Sequence, residues 1–235
     1  MNTITILLTA LLPIVILGVY IYRKDKHSPE PIGQLIKAFL WGVLSIPISL
    51  CISRPLGLLG AYPAEVTDVV GAIRTAFCAA AIPEEVAKFV VLWLFLRKNR
   101  YFDEKMDGIV YAVCVSLGFA AFENILYLFS SANDFLTVGI SRAIFAVPGH
   151  FCNGILMGYY YSLARFYPKS PAKNSALVLL APIMTHGIYD AILFAADQTP
   201  AISGLLAIAF LVFCVKLWKH CAKRVNEHLN RDNIY

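Results

Sequence analysis

Seven ionisable residues lie inside long apolar stretches of this sequence, far from the charged ends of those stretches. A charged side chain near the centre of a bilayer costs about 2.5–3.5 kcal/mol even on lenient insertion scales. Groups that remain there face one another and water rather than lipid, and they commonly carry function. The seven residues are Glu84, Glu85, Lys88, Glu123, His150, His186 and Asp190.

Carboxylates and imidazoles together can hold water, polarise it and move its protons. Hydrolysis of a peptide bond requires a base for the water, stabilisation of the oxyanion and an acid for the leaving amine. Glu84 and Glu85 are adjacent, and Lys88 lies on the same helix face. The lysine can shift the pKa values of the two carboxyls apart, as separate acid and base roles require. A serine or cysteine nucleophile is less convincing, because no GxSxG occurs and no cysteine forms an evident dyad.

Other uses of the same residues stay open. His nitrogen and carboxylate oxygen also suit Zn²⁺, although no HExxH is present to mark a zinc site. The Glu–Lys group could be a structural ion pair, and a single membrane histidine could be only an interhelical hydrogen-bonding group. A proton-coupled transporter or channel also needs buried carboxylates and histidines, but the paired broken helices of many transporters are not seen.

The elements that must position these residues are membrane helices. Of the 235 residues, 59% are hydrophobic and 15% are charged, well below the charged share of about a quarter in soluble domains. A hydrocarbon core about 30 Å thick needs about 20 apolar residues per helix. We therefore predict an all-α, polytopic fold in a single domain, residues 1–235, with about seven spans. The predicted spans are residues 4–22, 33–52, 69–96, 107–129, 139–164, 174–195 and 201–218.

Basic residues follow the first, third, fifth and seventh predicted spans, as Arg23, Arg97, Lys169 and Lys219 illustrate. This alternation places the N-terminus outside the cytoplasm and the C-terminus inside it. These loops explain the net charge of +5, and no nucleic-acid partner is expected. With a rise of about 1.5 Å per residue, the polar groups of four helices fall in one layer between the midplane and the outer leaflet. We expect a water-filled cavity that opens toward the outer face.

Four short motifs contain the seven residues. The run IPEEVAKF at 82–89 contains EExxK, and GFAAFEN at 118–124 contains FxxxE followed by asparagine. GHFCNG at 149–154 contains HxxxG, and HGIYD at 186–190 contains HxxxD. In this order and spacing the chain resembles the PrsW family of bacterial membrane proteases. More distantly, it is similar to the CAAX-prenyl-endopeptidase and abortive-infection superfamily.

The resemblance covers about residues 33–195, and the helices at 4–22 and 201–218 are peripheral to this core. It implies an endopeptidase that cuts inside the membrane or at its edge. In PrsW-like proteins the implied reaction is first-site cleavage of a membrane-anchored anti-sigma factor in envelope-stress signalling. The implied partners are that substrate and the lipid bilayer, and the implied location is the cell membrane.

The resemblance also implies site residues, position by position. The prenyl-protease pattern has histidine and asparagine at the two places that Glu123 and Asp190 occupy here. This departure argues against a prenyl-protein substrate and makes the site more acidic, which favours a metal. The matching residues, in motif order, are Glu84, Glu85 and Lys88, then Glu123 and Asn124, then His150, then His186 and Asp190.

Within this site we expect Glu85 to act as the general base, with Glu84 paired to Lys88 or sharing the proton. The two glutamates can exchange these roles, because they differ by one helical step. His186 is expected to stabilise the oxyanion or to protonate the leaving amine, and Asp190 to fix the tautomer of His186.

A zinc ion and a metal-free site are alternatives at this point. Zinc would be bound by Glu123, His150 and His186, with Glu85 free as the base. Without a metal, Glu123 and His150 would orient the water that the glutamate pair activates.

Overall fold

The computed structural model describes residues 3–26, 28–131, 133–167 and 170–232, so Lys169, one of the basic loop residues, lies outside the described part. The described chain consists of helices and their connections, and it contains no strand. The α-helices in chain order are α1 Thr3–Lys24, α2 Ile32–Leu58, α3 Val69–Arg74, α4 Ile82–Leu96, α5 Lys105–Ser130, α6 Phe135–Ser141, α7 Val147–Phe166, α8 Pro171–Gln198 and α9 Ser203–Asp232.

Six helical segments of the described chain are long and apolar enough to cross a membrane, which confirms the all-α polytopic fold. The remaining predicted span, the third at 69–96, is helical throughout but consists of α3, the π-helical turn Thr75–Ala81 and α4. It carries Glu84, Glu85 and Lys88, and these charges distinguish it from the six apolar segments. The six are Thr3–Lys24, Ile32–Leu58, Lys105–Ser130, Phe135–Phe166, Pro171–Gln198 and Pro200–Asn230.

Helix α5 lies at the centre of the bundle, where it packs against α1, α2 and α7. Its apolar window is 72% buried, the largest share among the six apolar segments. Glycines bring α2 and α5 into close contact: a side chain at Gly42 would overlap the carbonyl of Val115, and one at Gly118 would overlap the carbonyl of Phe39. Small residues at such crossings are the usual means by which membrane helices approach each other closely.

Replacing Gly42 by alanine should destabilise the fold, because the new Cβ would overlap the Val115 carbonyl and force α2 and α5 apart. Overpacking of this kind costs about 1–3 kcal/mol. Gly33→Ala in the same helix is the control, because a Cβ there meets no atom of the described residues within 4 Å. We expect Gly42→Ala to lower the melting temperature in detergent and Gly33→Ala to leave it unchanged or raise it. Equal melting temperatures for the two variants would contradict this packing.

Two π-helical turns precede helices that carry predicted site residues. Thr75–Ala81 leads into α4 just before Glu84, and Arg142–Ala146 leads into α7 just before His150. A π-helical turn closes its hydrogen bonds over five residues instead of four, and such turns are frequent at functional sites. Each turn therefore rotates the helix that follows, and it helps to decide which side chains face the interior.

Candidate active site

Four helices bring the seven predicted ionisable residues into one cluster. Helices α4, α5, α7 and α8 each supply at least one of them. The cluster borders a cavity of about 600 Å³, which reaches Ser131 and Val138 at the junction of α5 with α6. Glu85 and Lys88 are fully buried beside this cavity. The other five line it directly: Glu84, Glu123, His150, His186 and Asp190.

The ammonium group of Lys88 lies at the centre of the cluster. Its Nζ donates to Oε1 of Glu85 at 2.8 Å and lies 3.4 Å from Oε2 of Glu84 and 3.2 Å from Nδ1 of His150. The ring of Phe119 covers the ammonium, with 4.1 Å between the ring centroid and Nζ. A buried charge requires such partners, because an unpaired one would be desolvated without compensation. The two glutamates and the lysine therefore form one charged group with a histidine of α7.

The two glutamates of α4 have different surroundings. Glu85 is fully buried, and its Oε1 also lies 2.8 Å from Nδ1 of His186. Its Oε2 has no hydrogen-bond partner among the described residues. The side chain of Glu84 is 15% exposed and lines the cavity. Glu84 is therefore the glutamate that water or substrate in the cavity meets first.

His186 lies between carboxylates of two helices. Its Nδ1 faces Glu85, and its Nε2 lies 3.3 Å from Oδ2 of Asp190 and 3.9 Å from Oε2 of Glu84. Asp190 is one turn further along α8 on the same face, where it can hold the orientation of the imidazole. The rings of His186 and His150 meet edge to face, with their centroids 5.4 Å apart. Both imidazoles are thus fixed beside the glutamate pair.

Glu123 is held by a histidine on one side and an arginine on the other. Its Oε2 lies 2.9 Å from Nε2 of His150 and accepts a hydrogen bond of 2.5 Å from Nη2 of Arg142. The Nε of Arg142 donates to Oδ1 of Asn124 at 2.5 Å. The Nδ2 of Asn124 donates to the carbonyl of Ala10 at 3.1 Å. The asparagine that follows Glu123 in its motif therefore anchors the arginine and ties α5 to α1.

Arg142 is the member of this site that the sequence does not single out. It stands near the start of the predicted span 139–164, where a basic residue usually marks a membrane boundary. Its location is the signal in the sequence, because the predicted orientation puts Arg142 at an outer boundary, where the positive-inside rule predicts few basic residues. An arginine retained inside an apolar segment at that boundary indicates a buried partner.

Four side chains among the described residues could bind a metal ion together, since one donor atom from each lies within 4.8 Å of the others. Two imidazole nitrogens and carboxylate oxygens, including the unpartnered Oε2 of Glu85, fit a divalent ion such as Zn²⁺. The two histidines also belong to the predicted set, whereas Glu123 lies outside this group and is paired with Arg142. The four residues are Glu84, Glu85, His150 and His186.

The arrangement supplies the groups that hydrolysis of a peptide bond needs. Glu84 offers a carboxylate at the cavity wall, and the imidazoles of His150 and His186 lie on the same wall. Lys88 pairs with the carboxylate of Glu85, and Arg142 pairs with that of Glu123. A site of this kind can remove a proton from water, stabilise an oxyanion and return the proton to a leaving group.

The chain matches a family model, described as PrsW family intramembrane metalloprotease, over residues 30–217. It is 34% identical to Protease PrsW of Clostridioides difficile (strain 630) over 228 aligned residues. This alignment covers 96% of this chain and 92% of that relative. It is also 35% identical to Protease PrsW of Bacillus subtilis (strain 168) over 181 aligned residues, an alignment that covers 76% of this chain and 78% of that relative. No solved structure matches the chain. These similarities show that the chain belongs to the PrsW family of intramembrane metalloproteases and is a membrane-embedded peptidase.

Proposed function

We propose that this peptidase makes the first cut in a membrane-anchored anti-sigma factor and thereby starts an envelope-stress response. The observation that carries the proposal is the cavity of about 600 Å³ within a bundle of membrane-spanning helices, with Glu84, His150 and His186 on its wall. A substrate anchored in the same bilayer can place a short extended segment in this cavity beside those groups. Membership of the PrsW family supports a membrane-anchored protein as the substrate.

In the proposed mechanism, Glu84 is the base. Water in the cavity gives a proton to Glu84 while its oxygen attacks the carbonyl carbon of the scissile peptide bond. Glu84 then passes the proton to the leaving nitrogen, and the products are a carboxylic acid and an amine. The sequence favours Glu85 for this role and allows an exchange, and the exposure of Glu84 to the cavity supports the exchange. Glu85 instead holds Lys88 and His186 in place.

The oxyanion is stabilised by an imidazole in this mechanism. His186 is the better placed of the two histidines: Glu85 fixes its Nδ1 at 2.8 Å, and its Nε2 lies beside Glu84 at the cavity wall, where it can donate to the oxyanion in place of its longer contact of 3.3 Å with Asp190. In the metal-loaded form, Glu85, His150 and His186 would instead hold the ion that the family description implies, and Glu84 would stay free as the base. Such an ion would supply Lewis acidity for the carbonyl oxygen and for the attacking water.

The proposed substrate can be tested by co-expression. A single-pass anti-sigma factor with a tag at each end should give two shorter fragments on an immunoblot when the wild-type peptidase is present. The Glu84→Gln variant, produced at the same level, is the control and should leave the substrate intact. A proton-coupled transporter would give no fragment and would instead change proton flux into reconstituted vesicles. An intact substrate with wild-type peptidase would contradict the anti-sigma-factor proposal.

The proposed orientation places the N-terminus outside the cytoplasm and the C-terminus inside it, because every second loop is basic. Fusions of alkaline phosphatase and of a cytoplasmic fluorophore near residues 60, 102, 134, 170 and 235 test this topology. We expect active phosphatase at residues 60 and 134 and fluorescence at the other three. Active phosphatase at residue 102 or 170 would overturn the orientation.

A further inference from the structure

Arg142 connects the wall of the cavity to the histidine of α7 through a single carboxylate. Its Nη2 donates to Oε2 of Glu123 and its Nε donates to Oδ1 of Asn124, each at 2.5 Å. The guanidinium also covers the ring of Tyr127, with 4.1 Å between the guanidinium carbon and the ring centroid. Its side chain is 13% exposed and lines the cavity, so a small solute can reach it.

The contacts of the guanidinium determine where Glu123 points. A planar guanidinium with its fork of N–H donors holds two neighbouring acceptors in fixed directions, which a lysine ammonium cannot do. Here the two acceptors are consecutive residues of α5, so the fork fixes the carboxylate of Glu123 relative to that helix. The stacking on Tyr127 further limits the movement of the arginine.

The fixed carboxylate in turn determines the orientation of His150. Oε2 of Glu123 lies 2.9 Å from Nε2 of this histidine, and the other ring nitrogen, Nδ1, lies 3.2 Å from Nζ of Lys88. A carboxylate that holds one imidazole nitrogen sets the direction of the other one. The direction of Nδ1 toward the glutamate–lysine group therefore depends on Arg142.

We propose that Arg142 is a positioning residue for peptide hydrolysis: its guanidinium holds Glu123, and Glu123 holds His150 with Nδ1 directed at the group formed by Lys88 and Glu85. This assignment rests on the proposed catalytic role of the cluster. Arg142 acts through Glu123 and His150 and does not itself enter the reaction. An ion pair that only joined two helices would stabilise the fold but would not affect the rate of the chemical step.

The test compares Arg142→Ala with the wild type on a substrate that the wild type cuts. We expect kcat to fall about 10–100-fold, as is usual when a residue that orients an active-site histidine is removed. KM should change little, and guanidinium chloride at a sub-denaturing concentration should restore part of kcat, whereas ammonium chloride at equal ionic strength should not. Arg142→Lys should remain impaired, because an ammonium cannot form the fork.

Arg74→Ala is the matched control, because Arg74 is also an arginine at the edge of a helix, and its guanidinium donates to the backbone carbonyls of Gly60 and Ala61, outside the cluster. It should keep kcat and show no response to guanidinium. If folded Arg142→Ala keeps the wild-type kcat, or loses kcat without any rescue by guanidinium, the positioning role is wrong. If the wild type cuts no membrane-anchored substrate, the proposed function fails instead, so the two failures are distinguishable.

Discussion

Glu84→Gln should lower the rate of peptide cleavage by about 10²–10⁴-fold, which is the usual contribution of a general acid–base group. Glutamine keeps the shape of the side chain but cannot accept the proton of the attacking water. The fold should remain stable, because Lys88 keeps its closer partner, Glu85, at 2.8 Å when the contact of 3.4 Å to Glu84 is weakened. Rates measured with a quenched peptide substrate in detergent, together with melting temperatures, test both expectations.

Glu85→Gln separates the roles of the two glutamates. It should also lower activity, but it should reduce the free energy of unfolding as well, by about 3–5 kcal/mol, because Lys88 would lose the charge that pairs with it in a fully buried position. Glu65→Gln, on the exposed connection between α2 and α3, is the matched control and should change neither quantity. Full turnover by both Glu84→Gln and Glu85→Gln would show that the proposed acid–base role is wrong.

A membrane-permeant chelator should lower activity and melting temperature together, and zinc should restore both. A ligand present at 100 times its dissociation constant stabilises the folded state by about 2.7 kcal/mol, so loss of the ion should be visible in the melting curve. The proposed ligands come from three helices, α4, α7 and α8, which is why the ion should stabilise the bundle.

Ligand variants test the same expectation without an activity assay. His150→Ala and His186→Ala should each reduce the zinc content of the purified protein by elemental analysis, because each removes one imidazole from the group of donors. Glu123→Gln should retain zinc, because Glu85 rather than Glu123 belongs to the proposed ligand set. Unchanged activity after exhaustive chelation, with no metal detected in the protein, would leave the metal-free mechanism of the glutamate pair.

The sequence predicts most of the fold and of the site, because both depend on where charges interrupt apolar segments. The length of the apolar stretches predicts the spans, and the ionisable residues inside them predict the cluster, all seven members of which the structure brings together. The separation of the stretch 69–96 into α3, a π-helical turn and α4 is not predicted. A π-helical turn arises from packing against neighbouring helices rather than from a residue pattern of its own.

Two features of the site could not be predicted, because they depend on how each helix is rotated about its axis and on contacts between segments distant in the chain. Adjacent residues on an α-helix point about 100° apart, so the sequence cannot say whether Glu84 or Glu85 faces the cavity. Only the packing of α4 against α2 and α8 decides it. The role of Arg142 depends in the same way on contacts between α5 and a π-helical turn, 18 or more residues apart in the chain.

The most direct test of the proposed hydrolysis is to incubate the purified wild type with its substrate in water enriched in heavy oxygen and to identify the products by mass spectrometry. Hydrolysis by the site should give two fragments whose masses sum to that of the substrate plus one water. The heavy oxygen should appear in the new carboxyl terminus, and Glu84→Gln should give no fragments. Fragments formed equally by Glu84→Gln and by the wild type, or an intact substrate with the wild type, would show that this cluster does not hydrolyse the peptide bond.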